Sequence, residues 1–255
     1  MKPILRVFQN ADQLSRAAAR LVVEAAAASI TARGQFLLAL NGGQTPQQLL
    51  ELLGTEYRTK IDWERCHLFW GDERCVPPDH PESSFGLANS HLLRHVTIPA
   101  GQVHRIHGES GAEQAAREYA IALAQHATPG LSWPKFDLVL LGMGEDGHTA
   151  SLFPGSDPDA AGPVLPIIAN YQGRPAERVT LVPQVFNSAW LVLFMITGKA
   201  KAATLKRVLS GPFDPGQVPA QRIDPGDGKL IWLVDQAAAS ELPKSLWTAV
   251  PSEAV

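Results

Sequence analysis

Apolar residues along the chain follow two alternating periods. Over residues 12–32, Leu14, Ala17, Leu21, Val22, Ala25 and Ala28 recur at helical spacing. This predicts a helix with one apolar face, entered through Asn10 or Asp12 as its N-cap. Between such segments stand short apolar runs: Ile4 to Phe8, Phe36 to Leu40, His67 to Trp70, Phe136 to Leu141, Arg178 to Val182, Trp190 to Ile196 and Leu230 to Val234. Runs of this length read as buried strands. Further helices are predicted from Pro46 to Leu53, from a capping box at Ser110 and Glu113 to about His126, and from about Lys199 to Leu209. Continuous apolar strands separated by helices imply an α/β fold, Rossmann-like in the loose sense, with a mostly parallel sheet covered on both faces. A single domain over residues 1–255 is expected. The segment 155–166 reads as proline-rich coil and 211–228 as a surface loop.

Composition narrows the partners. Against 22 Lys and Arg stand 25 Asp and Glu, a net charge of -3 with no basic run, so nucleic acid is not expected. An anionic substrate would need positive charge concentrated locally, because the overall field does not supply it. The two cysteines, Cys66 and Cys75, form neither a disulfide framework nor a metal-ligand spacing and read as reduced thiols. The N-terminus runs directly into the first strand, so no signal peptide is expected. No apolar stretch reaches the ~18 residues of a membrane span. A soluble, cytoplasmic protein is expected. His104 and His107 lie three apart in a loop-like stretch without a third ligand suggested nearby, and read as surface histidines. Neither a metal nor an organic cofactor is expected.

In parallel sheets ligands bind beyond the carboxyl ends of the strands, and three predicted strand ends carry polar, glycine-rich segments. Asn41-Gly42-Gly43-Gln44-Thr45-Pro46 opens a helix, with Thr45 suited to the N-cap and Pro46 to the first helical position. Free amides at such an N-terminus suit a phosphate. Trp70-Gly71-Asp72-Glu73-Arg74 places three charges at the end of an apolar strand, and the planar fork of Arg74 suits a phosphate or an oxyanion. Gly142-Met143-Gly144-Glu145-Asp146-Gly147-His148 matches a dinucleotide-loop pattern, but Pro154 stops any helix within two turns, which removes that reading. What remains is a glycine-permitted loop holding Asp146 beside His148, a residue suited to general-base work near neutral pH. No GxSxG elbow is present, which argues against an α/β-hydrolase serine enzyme.

The segments NGGQTP, FWGDERCVPPDHPESSF and GMGEDGHTASLFPG, in this order, resemble the 6-phosphogluconolactonase family, within the group that includes glucosamine-6-phosphate deaminases. Ile196 to Ala202 is similar to the family's lysine segment, and the resemblance spans about residues 4 to 240. It implies hydrolysis of a phosphosugar lactone, with His148 activating water. Gly42, Gly43 and Thr45 would form a phosphate cradle, with Lys201 and Arg178 adding charge. Arg74 would hold substrate or stabilise the oxyanion, a part Arg178 also fits, and Asp72 and Asp146 would shape the loop and orient His148. Gln44 departs from the family's small hydroxyl residue, and Ser84 from its frequent asparagine. The deaminases carry a glutamate five positions after the histidine; here that position is Phe153, so the acid–base relay for ring opening is incomplete.

Overall fold

Asn10 begins the first helix as the pattern predicts, its side chain accepting from the Gln13 amide at 3.0 Å. That bond satisfies a first-turn donor with no partner inside the helix. The helix ends where Gly34 turns left-handed, φ 78°, a conformation glycine adopts without a Cβ clash. The computed structural model describes residues 3–157 and 162–247. Its elements in chain order are β1 (Ile4–Phe8), α1 (Ala11–Arg33), β2 (Phe36–Leu40), α2 (Gln44–Gly54), β3 (Cys66–Trp70), β4 (Asp72–Arg74), α3 (Ser84–His91), β5 (Val103–His104), α4 (Ala112–Ala124), β6 (Leu138–Leu141), β7 (Val164–Ile168), β8 (Glu177–Leu181), α5 (Pro183–Asn187), β9 (Leu191–Ile196), α6 (Ala202–Ser210) and β10 (Lys229–Asp235).

Seven strands form one parallel sheet in the order β1-β10-β9-β6-β2-β3-β5. The central strands β2 and β6 are buried at every residue, as a sheet covered on both faces requires. Phe194 and Trp232, register partners on β9 and β10, stack at 3.8 Å. The mostly parallel α/β architecture is the one the alternation predicts, and buried apolar residues of the large sheet join those of β7 and β8 in one hydrophobic cluster. No helix among the described residues is long and apolar enough to cross a membrane.

The remaining strands correct the sequence reading. β4, β8 and β7 form a separate antiparallel sheet, so Arg178 to Val182 does not extend the parallel one. The two sheets meet at Gly71, whose amide donates to Leu40 O at 2.8 Å while its carbonyl accepts from Leu181 N at 2.9 Å. A Cβ at Gly71 would lie 3.3 Å from the Phe186 ring, so the crossing is packed tight. β7 (Val164–Ile168) overlaps the end of the stretch 155–166, which the sequence reads as coil. Pairing with β8 from Val164↔Leu181 to Ile168↔Glu177 supplies its backbone partners. Pro166 is tolerated because β7 is an edge strand. Residues 158–161 of that stretch lie outside the described residues.

Two caps and one loop also differ from expectation. The Ser110–Glu113 box does not form: Gly108–Ser110 make a 3-10 turn, and Gly111, φ 83°, caps α4 without a side-chain bond. Gly43, φ 103°, caps α2, so Thr45 lies inside the first turn with its Oγ1 3.1 Å from Thr197 Oγ1. Val103 and His104 pair with Leu68 and Phe69 as the edge strand β5 rather than forming loop.

Candidate active site

The loop after β6 folds back on itself. Gly144 N donates to His148 O at 2.8 Å and Gly147 N to Gly144 O at 3.2 Å, with Gly147 at φ 92°. The turn brings His148 Nδ1 to 2.6 Å from Asp146 Oδ1, which also accepts from the His148 amide at 3.1 Å. A Cβ at Gly144 would overlap both the imidazole and the carboxylate, so this glycine makes room for the pair. A carboxylate only accepts hydrogen bonds, so Nδ1 carries the proton and Nε2 keeps the lone pair. Asp72, the other candidate for orienting His148, instead accepts from Ser151 Oγ at 2.7 Å.

Burial pushes the Asp146 carboxyl up, but the hydrogen bond and charge of His148 outweigh it and hold the group below the usual carboxylate range. A depressed folded value contributes stability that is present above the unfolded value of about 3.9 and lost as pH falls through the folded value. Thermal denaturation at stepped pH should therefore show Asp146→Asn melting below wild type near about pH 6, with the difference closing below roughly pH 4. A difference constant across that range would mean that the ion pair adds no stability.

Two rings flank the imidazole: Phe153 at 4.4 Å between centroids and Tyr171, edge-on, at 4.7 Å. Beside them Ala150 is held at φ 49°, an uncommon conformation for a residue with a Cβ. Phe153 also has the Arg178 guanidinium 5.3 Å from its ring centre.

Strand alternation explains the three charges after β3. Asp72 and Arg74 border the cavity, and Glu73, between them, points the other way. Its carboxylate accepts from the amides of Arg74, Ser84 and Phe85 and from Ser83 Oγ, at 2.7–3.0 Å. Glu73 thus anchors the start of α3, although burial pushes its carboxyl up against those four bonds. α3 in turn sets Ser84 against the phosphate-type loop, where any Cβ on Gly42 would overlap the Ser84 hydroxyl.

Arg74 and Arg178 face each other across β4 and β8. Like charges directly opposite repel, and both residues are buried, at 9% and 2% exposure. Arg74 Nη1 donates to Glu82 O at 2.6 Å, whereas Arg74 Nε and both Nε and Nη2 of Arg178 have no hydrogen-bond partner among the described residues. Burial lowers the Arg178 pKa, partly opposed by Asp72. Unpaired buried donors are costly to leave unmade, and two such cations side by side suit an anion. Burial likewise pulls Lys201 down, against the charges of Glu145 and Asp146.

Eight of the nine residues singled out from the sequence, Gly42, Gly43, Thr45, Asp72, Arg74, His148, Arg178 and Lys201, border one cavity of about 320 Å³. Asp146 stands behind His148 and does not line it. Sequence reasoning missed Tyr171 and Arg174, which reach the same cavity from the connection between β7 and β8; that stretch carries no motif. Cys66 and Cys75 are free, and burial pushes them up to about 12 and about 11, so neither is a thiolate near neutral pH.

A parallel α/β sheet with a polar cavity beyond its strand ends is the architecture of a small-molecule enzyme. A family model described as glucosamine-6-phosphate isomerases/6-phosphogluconolactonase matches residues 9–232. The 6-phosphogluconolactonase of Homo sapiens is 40% identical over 92% of this chain and 92% of its own, and that of Synechocystis is 38% identical over 95% and 99%. The solved structure of 6-phosphogluconolactonase from Trypanosoma brucei superposes with a TM-score of 0.84 at 30% identity, covering 95% of this chain and 99% of that one. A monomeric glucosamine-6-phosphate deaminase, at 24% identity and a TM-score of 0.76 over 94% of this chain and 100% of its own, shares the fold. The chain belongs to this family, and it is an enzyme of the hydrolase class.

Proposed function

We propose that the chain, as a single catalytic unit, hydrolyses 6-phospho-D-glucono-1,5-lactone to 6-phosphogluconate. The observation that carries this is the Asp146–His148 pair, 2.6 Å apart, opening on the same cavity as the unpartnered donors of Arg74 and Arg178. The lactone's phosphate sits at the N-terminus of α2, against the amides following Gly42 and Gly43, beside Thr45 and the Lys201 ammonium. Anchoring the remote phosphate fixes the carbonyl near His148, so that proximity supplies part of the rate. His148 Nε2 takes a proton from water as its oxygen bonds to the carbonyl carbon, and the guanidinium pair, Arg178 foremost, stabilises the oxyanion. Collapse of the tetrahedral intermediate breaks the bond to the ring oxygen, which regains the proton from His148 and leaves as the C5 hydroxyl. The acid product then loses its proton to solvent.

Phe153 favours lactone hydrolysis over ring-opening deamination. Its ring packs against His148 at the position where the deaminases carry a carboxylate. A coupled assay of δ-6-phosphogluconolactone hydrolysis, corrected for the spontaneous rate, tests the assignment. Catalysed hydrolysis without ammonia release from glucosamine 6-phosphate is expected; the reverse would sink it. Lys201→Ala is expected to raise KM for the phosphorylated lactone about tenfold or more with a smaller change in kcat, because a charge-assisted hydrogen bond contributes roughly 1.5–3 kcal/mol. An unchanged KM would remove Lys201 from the phosphate site. The free thiols suit a reducing compartment such as the cytoplasm, and the net charge of -3 gives nucleic acid no foothold.

A further inference from the structure

His104 does not pair with His107, which instead lies 3.6 Å from Glu118. It faces two histidines from other parts of the chain. His67 Nδ1 stands 3.1 Å from His104 Nε2 with the two rings parallel. His126, just beyond the end of α4, brings its ring centre to 4.5 Å from that of His104 and 4.9 Å from that of His67. One ligand nitrogen from each of the three lies within 4.8 Å of the others. We propose that His67, His104 and His126 form a binding site for a late first-row divalent transition ion of the zinc class.

The geometry is close to what such an ion needs. Tetrahedral coordination with Zn–N bonds of 2.0–2.1 Å sets ligand nitrogens about 3.3–3.4 Å apart. The His67–His104 pair, at 3.1 Å, lies within about 0.3 Å of that spacing, and closing the third side takes a shift of at most about 1.5 Å. All three side chains are half-buried, so an ion can enter while the ligands remain held. Phe69 stacks on His104 at 4.4 Å and meets His126 edge-on at 5.6 Å, which fixes both rings from one side. Burial pulls all three imidazoles below their ordinary range, His104 to about 4, with the neighbouring histidines adding to the effect on His67 and His104. A neutral imidazole is the form that ligates a metal. An all-imidazole donor set favours zinc, copper and nickel over magnesium or calcium.

The site is separate from the catalytic cavity, which none of the three residues lines. Its ligands come from β3, from the two-residue edge strand β5 and from the chain after α4. A bound ion would cross-link three segments at the edge of the large sheet, where the two-residue β5 pairs with β3 at Leu68 and Phe69.

The test is a titration of the metal-stripped protein with Zn²⁺, and with Co²⁺ read by its tetrahedral visible absorption. Wild type, His126→Gln, His104→Gln, His107→Gln and His148→Ala are compared. The expected result is one ion per chain, with affinity falling at least about 100-fold in His126→Gln and His104→Gln, since even outer partners of metal ligands change affinity by 10–100-fold. His107→Gln and His148→Ala should bind like wild type. Metal at about a hundred times Kd should raise the Tm of wild type by roughly 5–10 °C and not that of His126→Gln, whose lactone hydrolysis without metal should equal wild type. The proposal is overturned if no saturable 1:1 binding occurs, or if binding survives both His126→Gln and His104→Gln.

Discussion

Replacing His148 by alanine is expected to lower kcat by about 10²–10⁴-fold, with KM staying within a few-fold of wild type. The loss corresponds to roughly 2.7–5.5 kcal/mol of transition-state stabilisation. The expectation rests on orientation. Nδ1 is committed to Asp146 at 2.6 Å, which leaves Nε2 as the lone pair toward the cavity. Alanine removes the base but leaves the α2 N-terminus, Lys201 and both arginines in place, so the ground-state complex still forms. Steady-state kinetics corrected for spontaneous hydrolysis would decide it, and near-normal turnover would require another group to activate water.

The second large effect is expected at Arg178. Arg178→Met should reduce kcat/KM by about 10²–10³-fold, the range for removing a donor aimed at a developing oxyanion, with most of the fall in kcat. Arg178→Lys should recover only part, because an ammonium keeps the charge but not the fork that Nε and Nη2 present. The structural basis is a buried guanidinium with two unpartnered donors, sharing Phe153 as a neighbour with His148. A fall confined to KM would assign Arg178 to the phosphate instead.

The strand ends were the legible part of this chain. Apolar runs marked β2, β3 and β6, and the polar segments that follow them converge on one cavity because parallel strands all end on the same side. The second sheet was not legible. Asp72 to Arg74 has no apolar pattern, and it is a strand only because β8 offers backbone partners. Ser84–His91, with a glycine and two serines, carries little helical preference of its own; Glu73, eleven residues before Ser84 and twelve before Phe85, holds its first amides from a distance no local pattern shows. Sequence placed a cap on Thr45 by residue type, whereas backbone at φ 103° put Gly43 there. The choice between Asp72 and Asp146 depended on which carboxylate the loop turns toward His148, and that follows from the fold of residues 142–148 rather than from spacing.

Gly71 gives the site a mechanical property. The histidine loop and the α2 N-terminus follow strands of the large sheet, the arginines stand on the small one, and Gly71, the single residue between β3 and β4, is bonded to both. The cavity is therefore bordered from both sheets, so a change in how the sheets pack is expected to alter its width without touching a lining residue. Phe186, which does not line the cavity, packs against that junction. A substitution at Phe186 is therefore expected to alter the spacing between the two sides of the cavity while every lining residue stays in place.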